Sequence, residues 1–216
     1  AVALTGPTSS PTFVANGQPL LLSGTAADNL ELAGISWVNA QGGTAGAASG
    51  TTVWSASVPL IPGVNTITVT ATDTAGGTST DVIDVTYDPD LPTVAISAPT
   101  INPTHVTNTA PLLVGGTASD LVGLAAVTWS NSGTGGIGTA SGTAAWSASI
   151  PLSNGLNTIV ITATDTAGNT ATDTLDVTFD AVVPTVTISS PTGQPTHITS
   201  LGMVTLAGTS ADNVAV

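Results

Sequence analysis

Trp146-Ser147-Ala148-Ser149-Ile150-Pro151-Leu152, followed at a short interval by Asn157-Thr158-Ile159-Val160-Ile161-Thr162-Ala163-Thr164-Asp165-Thr166-Ala167-Gly168-Asn169, decides the fold. Trp146, Ala148 and Ile150 alternate with serines, and Ile159, Ile161 and Ala163 alternate mainly with threonines. A period of two, rich in β-branched residues and closed by an Asp-to-Gly turn, predicts two half-buried strands. The first copy of the same stretch reads Asn65-Thr66-Ile67-Thr68-Val69-Thr70-Ala71-Thr72-Asp73-Thr74-Ala75-Gly76-Gly77.

The copies lie 92 positions apart and align without a gap. Trp37 pairs with Trp129, Trp54 with Trp146, Asp73 with Asp165, Tyr87 with Phe179 and Pro92 with Pro184. Self-similarity at a fixed period marks a repeat architecture. The expected units are residues 1–91, 92–183 and the opening third of another at 184–216, where Pro195-Thr196-His197 repeats Pro103-Thr104-His105. That last piece lacks the Trp-bearing strands and the closing pair. Either the chain continues or another subunit completes the fold by strand addition.

Working outward, Val94 and Ile96 alternate in a first strand, Leu112 and Val114 in a second, Val127 and Trp129 in a third, and Leu175, Val177 and Phe179 in the last. The opposite faces carry mainly Thr, Ser and Asp, and no stretch has helical periodicity. One wet and one buried face per strand, with about seven strands per unit, predicts an all-β fold of tandem immunoglobulin-like antiparallel β-sandwiches. The two closing stretches resemble bacterial Ig-like domains found in tandem in large extracellular adhesins and surface or filament proteins. The resemblance covers the whole chain. It implies an extracellular or cell-surface array, and leaves spacer, adhesive and filament roles open.

Composition narrows the partners. The 216 residues include no Lys or Arg against 13 acidic residues, a formal charge of -13. Without cationic side chains the chain cannot displace counterions from phosphates, so nucleic acid is excluded, and anionic membrane surfaces with it. No apolar run reaches the ~18 residues that span a bilayer. Absence of Cys rules out disulfides, thiolate zinc sites and thiol nucleophiles. Absence of Lys also rules out Lys-Asn isopeptide locks. Ala1 begins no signal peptide, so the expectation is a processed chain or one that starts within a larger protein.

Nothing in the sequence assembles a catalytic site, and the chain is expected not to be an enzyme. His105 and His197 fall where the first copy has Phe13, so a ring that packs is the shared property. No serine sits in a nucleophile elbow. The tryptophans share faces with Ile35, Val127, Val58 and Ile150, which predicts core filling in place of sugar-stacking platforms. The Gly-rich segments Asn39–Gly50 and Asn131–Gly142 read as loops and as the best candidate contacts for a glycan or host protein.

The aspartates carry the one candidate site. Asp73 and Asp165 open turns, where a carboxylate commonly accepts turn N–H groups. Asp28, Asp120 and Asp212 recur after the second strand, and Asp88, Asp90 and Asp180 fall in the links before Pro92 and Pro184. In an Ig-like sandwich the loop after the second strand, the turn before the last and the incoming link share one end. Asp88, Asp90, Asp120 and Asp165 are therefore expected to converge at the first link. Carboxylates gathered without any Lys or Arg attract a cation, rise in pKa or stay apart in water. Calcium is the cation that hard oxygen ligands at flexible spacing suit. Turn capping and calcium binding both stand at this point, and no other cofactor is expected.

The leading expectation is an extracellular stalk, surface fibre or filament that associates with neighbouring repeats or with itself. The alternatives are an adhesin module that binds glycan or protein through its loops, and a subunit that polymerises by complementing the third repeat.

Overall fold

The computed structural model describes residues 1–213 of the chain. Apart from one 3₁₀ turn at Gln41–Gly43, its regular structure is strand. In the first 91 residues these are β1 (Val2–Gly6), β2 (Thr12–Ala15), β3 (Leu20–Ala26), β4 (Leu32–Asn39), β5 (Thr44–Ala47), β6 (Ser49–Gly50), β7 (Val53–Val58), β8 (Gly63–Asp73) and β9 (Thr78–Tyr87). They form two sheets, β1-β3-β7-β6 and β2-β9-β8-β4-β5. The inner faces meet in one core: Leu22, Trp54, Val58, Ile67, Val69, Ile83 and Val85 are almost wholly removed from solvent, with Phe13 packed against them. Each such side chain stabilises the fold by about 1.5–3 kcal/mol, which is how a domain with so few charges holds together.

The same order recurs as β10 (Thr93–Ala98), β11 (Thr104–Thr107), β12 (Leu112–Ser119), β13 (Leu124–Asn131), β14 (Gly136–Thr139), β15 (Ala145–Ile150), β16 (Gly155–Asp165) and β17 (Thr170–Phe179). Their sheets run β10-β12-β15 and β11-β17-β16-β13-β14. β18 (Thr185–Ser190) and β19 (Ala207–Ala211) then pair antiparallel. The chain is the all-β, Ig-like sandwich that the alternation predicted. By contacts it forms two compact units: Ala1–Thr93 with Ser119–Ala126 and Ala163–Ala171, and Val94–Ala118 with Val127–Thr162 and the residues from Thr172 onward.

Two details depart from the sequence reading. The opening strand is split, and its second piece pairs parallel: Phe13 lies opposite Val85 and His105 opposite Val177. The sandwich is therefore antiparallel except along this edge. Phe13 and His105, both half-buried, are the rings that cover it. The Gly-rich segments, expected as loops, also contain strands. β5 and β14 pair with β4 and β13, and Gly46 and Gly138 lie under the indoles of Trp37 and Trp129, where a Cβ would strike the ring. These glycines are required by a close approach, and loop flexibility has nothing to do with them. Trp37, Trp54 and Trp146 are buried and Trp129 half-buried, as core filling predicts.

Aspartates also tie the two sheets of each sandwich together. Asp81 Oδ2 on β9 accepts the Leu4 N–H on β1 at 2.8 Å, and Asp173 Oδ2 on β17 accepts the Ile96 N–H on β10 at 2.7 Å.

Candidate metal centre

Three of the four predicted aspartates come together within the first compact unit. Asp88, Asp120 and Asp165 each place a carboxylate oxygen so that all three lie within 4.8 Å of one another. Local chemistry fixes each in turn. Asp165 ends β16, and its Oδ1 accepts the Ala167 and Asn169 N–H groups, both at 2.8 Å. Gly168, at φ 92°, supplies the left-handed residue that this turn requires. Asp120 Oδ1 accepts from Val122 and Gly123, both at 2.9 Å. Asp88 follows β9, and its N–H donates to the Ala15 carbonyl.

Asp90 stays outside the group. It is exposed, and its N–H donates to Asp88 Oδ1 at 3.2 Å. Its contribution is to hold the Asp88 carboxylate, one residue removed from the ligand set. Asp180 repeats that geometry with Val182, at 3.0 Å, but neither Asp180 nor Asp212 belongs to such a cluster among the described residues.

Backbone capping uses the Oδ1 of each carboxylate, and Asp165 Oδ2 accepts from the Asn169 side chain. Asp88 Oδ2 is buried and has no hydrogen-bond partner among the described residues. A buried carboxylate oxygen without a donor costs free energy as an anion. Burial accordingly pushes the Asp88 carboxyl above its ordinary value of 3.8, with the charges of Asp120, Asp165 and Asp90 adding to the rise. Two unit charges about 5 Å apart repel by ~3 kcal/mol at an effective dielectric of ~20. Repulsion of that size is comparable to a sizeable part of a domain's stability. A hard divalent cation among these oxygens would reverse its sign, and the donor set, all oxygen and all anionic, suits calcium.

Asn169 was not singled out by sequence reasoning, although it belongs to the same constellation. Its Nδ2 donates to Asp165 Oδ2 at 2.8 Å and to the Asp88 carbonyl at 3.0 Å, joining two of the three acidic segments. The signal was present in the repeat comparison. The first copy has Gly77 at this position, and Asn169 is one of the few polar replacements in an otherwise matched turn.

At the equivalent place in the first copy two aspartates also come together, with no third acidic residue joining them in such a cluster among the described residues. Asp28 and Asp73 occupy the positions equivalent to Asp120 and Asp165. Asp73 Oδ1 accepts from Ala75 and Gly77, both at 2.8 Å, and the Gly77 N–H holds the Asp73 carboxyl below its ordinary value. No helix among the described residues is long and apolar enough to cross a membrane.

Comparison with known proteins agrees with this architecture. Residues 100–181 match the family model of the bacterial Ig-like domain. A search of curated proteins finds no significant match. Among solved structures, the fold is similar to the fibronectin(III)-like modules of Clostridium thermocellum CbhA, at 20% identity and a TM-score of 0.57, covering 83% of this chain and 94% of that one. Weaker likenesses are to a tetra-tandem repeat from the extending region of a large adhesion protein (26% identity, TM-score 0.36, 89% of this chain) and to a Ca2+-stabilized adhesin of an ice-binding Antarctic bacterium (23%, 0.40, 88%). This chain spans about half the length of each, 53% and 52%. Their TM-scores are too low to add to the fold assignment. Sheet order, the family match and the gapless recurrence agree: residues 100–181 match the bacterial Ig-like domain, and the sequence on either side repeats the same pattern at a spacing of 92 residues.

Proposed function

We propose that this chain is part of an extracellular repeat array, a stalk or surface fibre, whose first link is stiffened by calcium held by Asp88, Asp120 and Asp165. The carrying observation is the cluster of three carboxylates in a protein without Lys or Arg, together with the buried Asp88 Oδ2, which has no hydrogen-bond partner among the described residues. In a chain without Lys or Arg, a cation from solution is the compensation that leaves all three carboxylates ionised. A bound ion would tie the segment after β9 to the loop after β12 and to the turn between β16 and β17, limiting bending where an array is weakest.

An extracellular place supports the reading, because calcium is millimolar there and a chain without Lys or Arg offers no site to trypsin-like proteases. Core-facing tryptophans and capped carboxylates support scaffolding over catalysis or sugar stacking. The test is a thermal melt of the whole chain in chelator and in about 1 mM calcium. Binding with a dissociation constant of ~10–100 μM stabilises by about 1.4–2.7 kcal/mol, which raises the melting temperature by several degrees. Identical melts in the two buffers overturn the calcium reading.

A further inference from the structure

Asparagine followed by glycine occurs twice in the chain, at Asn16-Gly17 and at Asn154-Gly155, once in each sandwich. In such a pair the glycine nitrogen reaches the preceding side-chain amide with least obstruction, because no Cβ stands in the way. The two pairs have unlike surroundings. Asn16 and Gly17 are both exposed in the bend between β2 and β3, and among the described residues the Asn16 amide makes no hydrogen bond and the Gly17 N–H donates to nothing. Nothing lies within 4 Å of the place a Gly17 Cβ would take, so the backbone has room to turn. Asn154, by contrast, is held on both sides. Gly155 opens β16, and the buried Asn157 accepts the Ser153 N–H at 2.9 Å while its Nδ2 donates to the Ser153 and Gly155 carbonyls at 2.7 and 3.0 Å. The second-copy equivalent of Asn16 is Asn108, followed by the β-branched Thr109, whose N–H already donates to Thr107 Oγ1 at 3.1 Å.

Asn16 also stands beside the acidic cluster. Ala15, the residue before it, accepts the Asp88 N–H at 2.8 Å. Within the same compact unit, a Cβ on Gly168 would lie 3.8 Å from Asn16 Nδ2, so the asparagine abuts the turn whose amides cap Asp165. A neutral side chain is thus set against a turn that carries one of three clustered carboxylates, in a chain with no Lys or Arg to offset a further negative charge.

We infer that Asn16 is a site of spontaneous deamidation, and that its product places a further carboxylate against the Asp165–Asn169 turn. The Gly17 nitrogen gives its proton to hydroxide and attacks Asn16 Cγ. A bond from that nitrogen to Cγ forms, the bond from Cγ to the side-chain nitrogen breaks, and ammonia leaves with a proton taken from water. Water then opens the five-membered succinimide. Addition at Cγ leaves an aspartate at this position, and addition at the Asn16 backbone carbonyl leaves an isoaspartate, with the chain running through the side chain. One water is consumed, one ammonia is released, and nothing is oxidised or reduced. The reaction needs no metal and no partner, so indifference of the protein to calcium leaves the inference standing.

The test incubates the whole chain in mildly alkaline buffer and weighs its peptic peptides, since the absence of Lys and Arg leaves trypsin no site. The peptide that contains Asn16 is expected to gain about 1 Da and to split into two chromatographic products, at a rate about tenfold or more above those at Asn108 and Asn154. Gly17→Ala slows the gain about tenfold, and in the urea-unfolded chain Asn154 reacts as fast as Asn16. Asn16→Asp supplies the charge without altering the backbone. It melts about 1–2 °C below the parent in chelator at low ionic strength, and the deficit shrinks in about 1 M salt, where a Debye length of ~3 Å screens the repulsion. No gain at Asn16, or an equal gain at Asn154 in the folded chain, overturns the inference. A deficit that is absent in chelator, or that salt leaves unchanged, overturns the placement of the new charge against the turn.

Discussion

Asn39 Nδ2 donates to Asn65 Oδ1 at 2.9 Å, and 92 residues later Asn131 Nδ2 donates to Asn157 Oδ1 at 3.1 Å, each pair fully buried beneath an otherwise apolar sandwich. The second asparagine of each pair closes the crossover into the long central strand. Asn157 Nδ2 donates to the Ser153 and Gly155 carbonyls at 2.7 and 3.0 Å, and its Oδ1 accepts the Ser153 N–H at 2.9 Å. Asn157→Ala takes a partner from the part-buried Ser153 N–H, from the Ser153 and Gly155 carbonyls and from Asn131 Nδ2, which keeps only the Pro151 carbonyl, at about 1–3 kcal/mol for each group left unpaired before relaxation. We expect a loss of about 3–5 kcal/mol in urea unfolding, large enough to unfold that sandwich at moderate temperature. A loss below about 1 kcal/mol would show that water replaces the asparagine.

The acidic cluster makes a prediction whose sign depends on the cation. In chelator, Asp88→Asn removes one of three mutually repelling charges from a buried position and raises the melting temperature by a few degrees. In about 1 mM calcium the same variant has lost an anionic ligand and melts below the parent. Paired melts of both proteins in both buffers check it. A variant that melts lower in both buffers places Asp88 among ordinary structural carboxylates.

Asn169→Gly restores the residue that the first copy carries at Gly77. The turn keeps its backbone bonds from Asp165 Oδ1, but the links to Asp165 Oδ2 and the Asp88 carbonyl go. Stability in chelator falls by about 1 kcal/mol, as for one hydrogen-bonded side chain. The more telling readout is calcium affinity by calorimetry, which we expect to weaken about 10-fold, because partners that orient ligands commonly contribute that much. Unchanged affinity would make Asn169 a structural latch only.

Most of the sandwich was legible because its signals are local or periodic. The alternation through Trp146, Ala148 and Ile150 states which face is buried, and the 92-residue recurrence checks the reading twice. The parallel edge of Phe13 and His105 was not legible, since four residues are too few to show a period and their partners lie more than 70 positions away. The same limit hid Asp81 and Asp173, which read as solvent-face residues in strands of alternating Thr and Asp. At the cluster, strand order told which loops share an end and so brought Asp88, Asp120 and Asp165 together. It could not tell that the Asp90 side chain leaves the group while its N–H holds Asp88. A difference between copies, Gly77 against Asn169, was the overlooked signal.

Asp173→Ala tests the tie between sheets. The Ile96 N–H that donates to Asp173 belongs to a buried residue on the opposing sheet, so the alanine leaves it without an acceptor. A charge-assisted bond at a partly exposed site gives an expected loss of about 1–2 kcal/mol. Asp173→Asn keeps an oxygen in place and should recover at least half of that loss. Equal losses for the two variants would assign the effect to charge in place of the bond.

Asp73 carries a pH dependence of defined sign. Its carboxyl is held below the ordinary value of 3.8, first by the Gly77 N–H and then by those of Ala75 and Gly76, while partial burial opposes the shift. A carboxyl with a depressed folded-state pKa binds protons more weakly in the native than in the unfolded chain. Its contribution to stability is therefore complete above about pH 4 and disappears as pH falls through the depressed value. Asp73→Ala should melt below the parent at pH 7, where the turn between β8 and β9 has lost its acceptor. The gap should narrow steadily below pH 4, as the parent's carboxylate takes up its proton and ceases to attract the turn amides. Melting curves of both proteins from pH 7 to pH 2, in chelator to silence the Asp88 cluster, measure that gap. A gap independent of pH would mean that the side chain acts by shape alone, and that the turn amides bind the protonated acid as well as the anion.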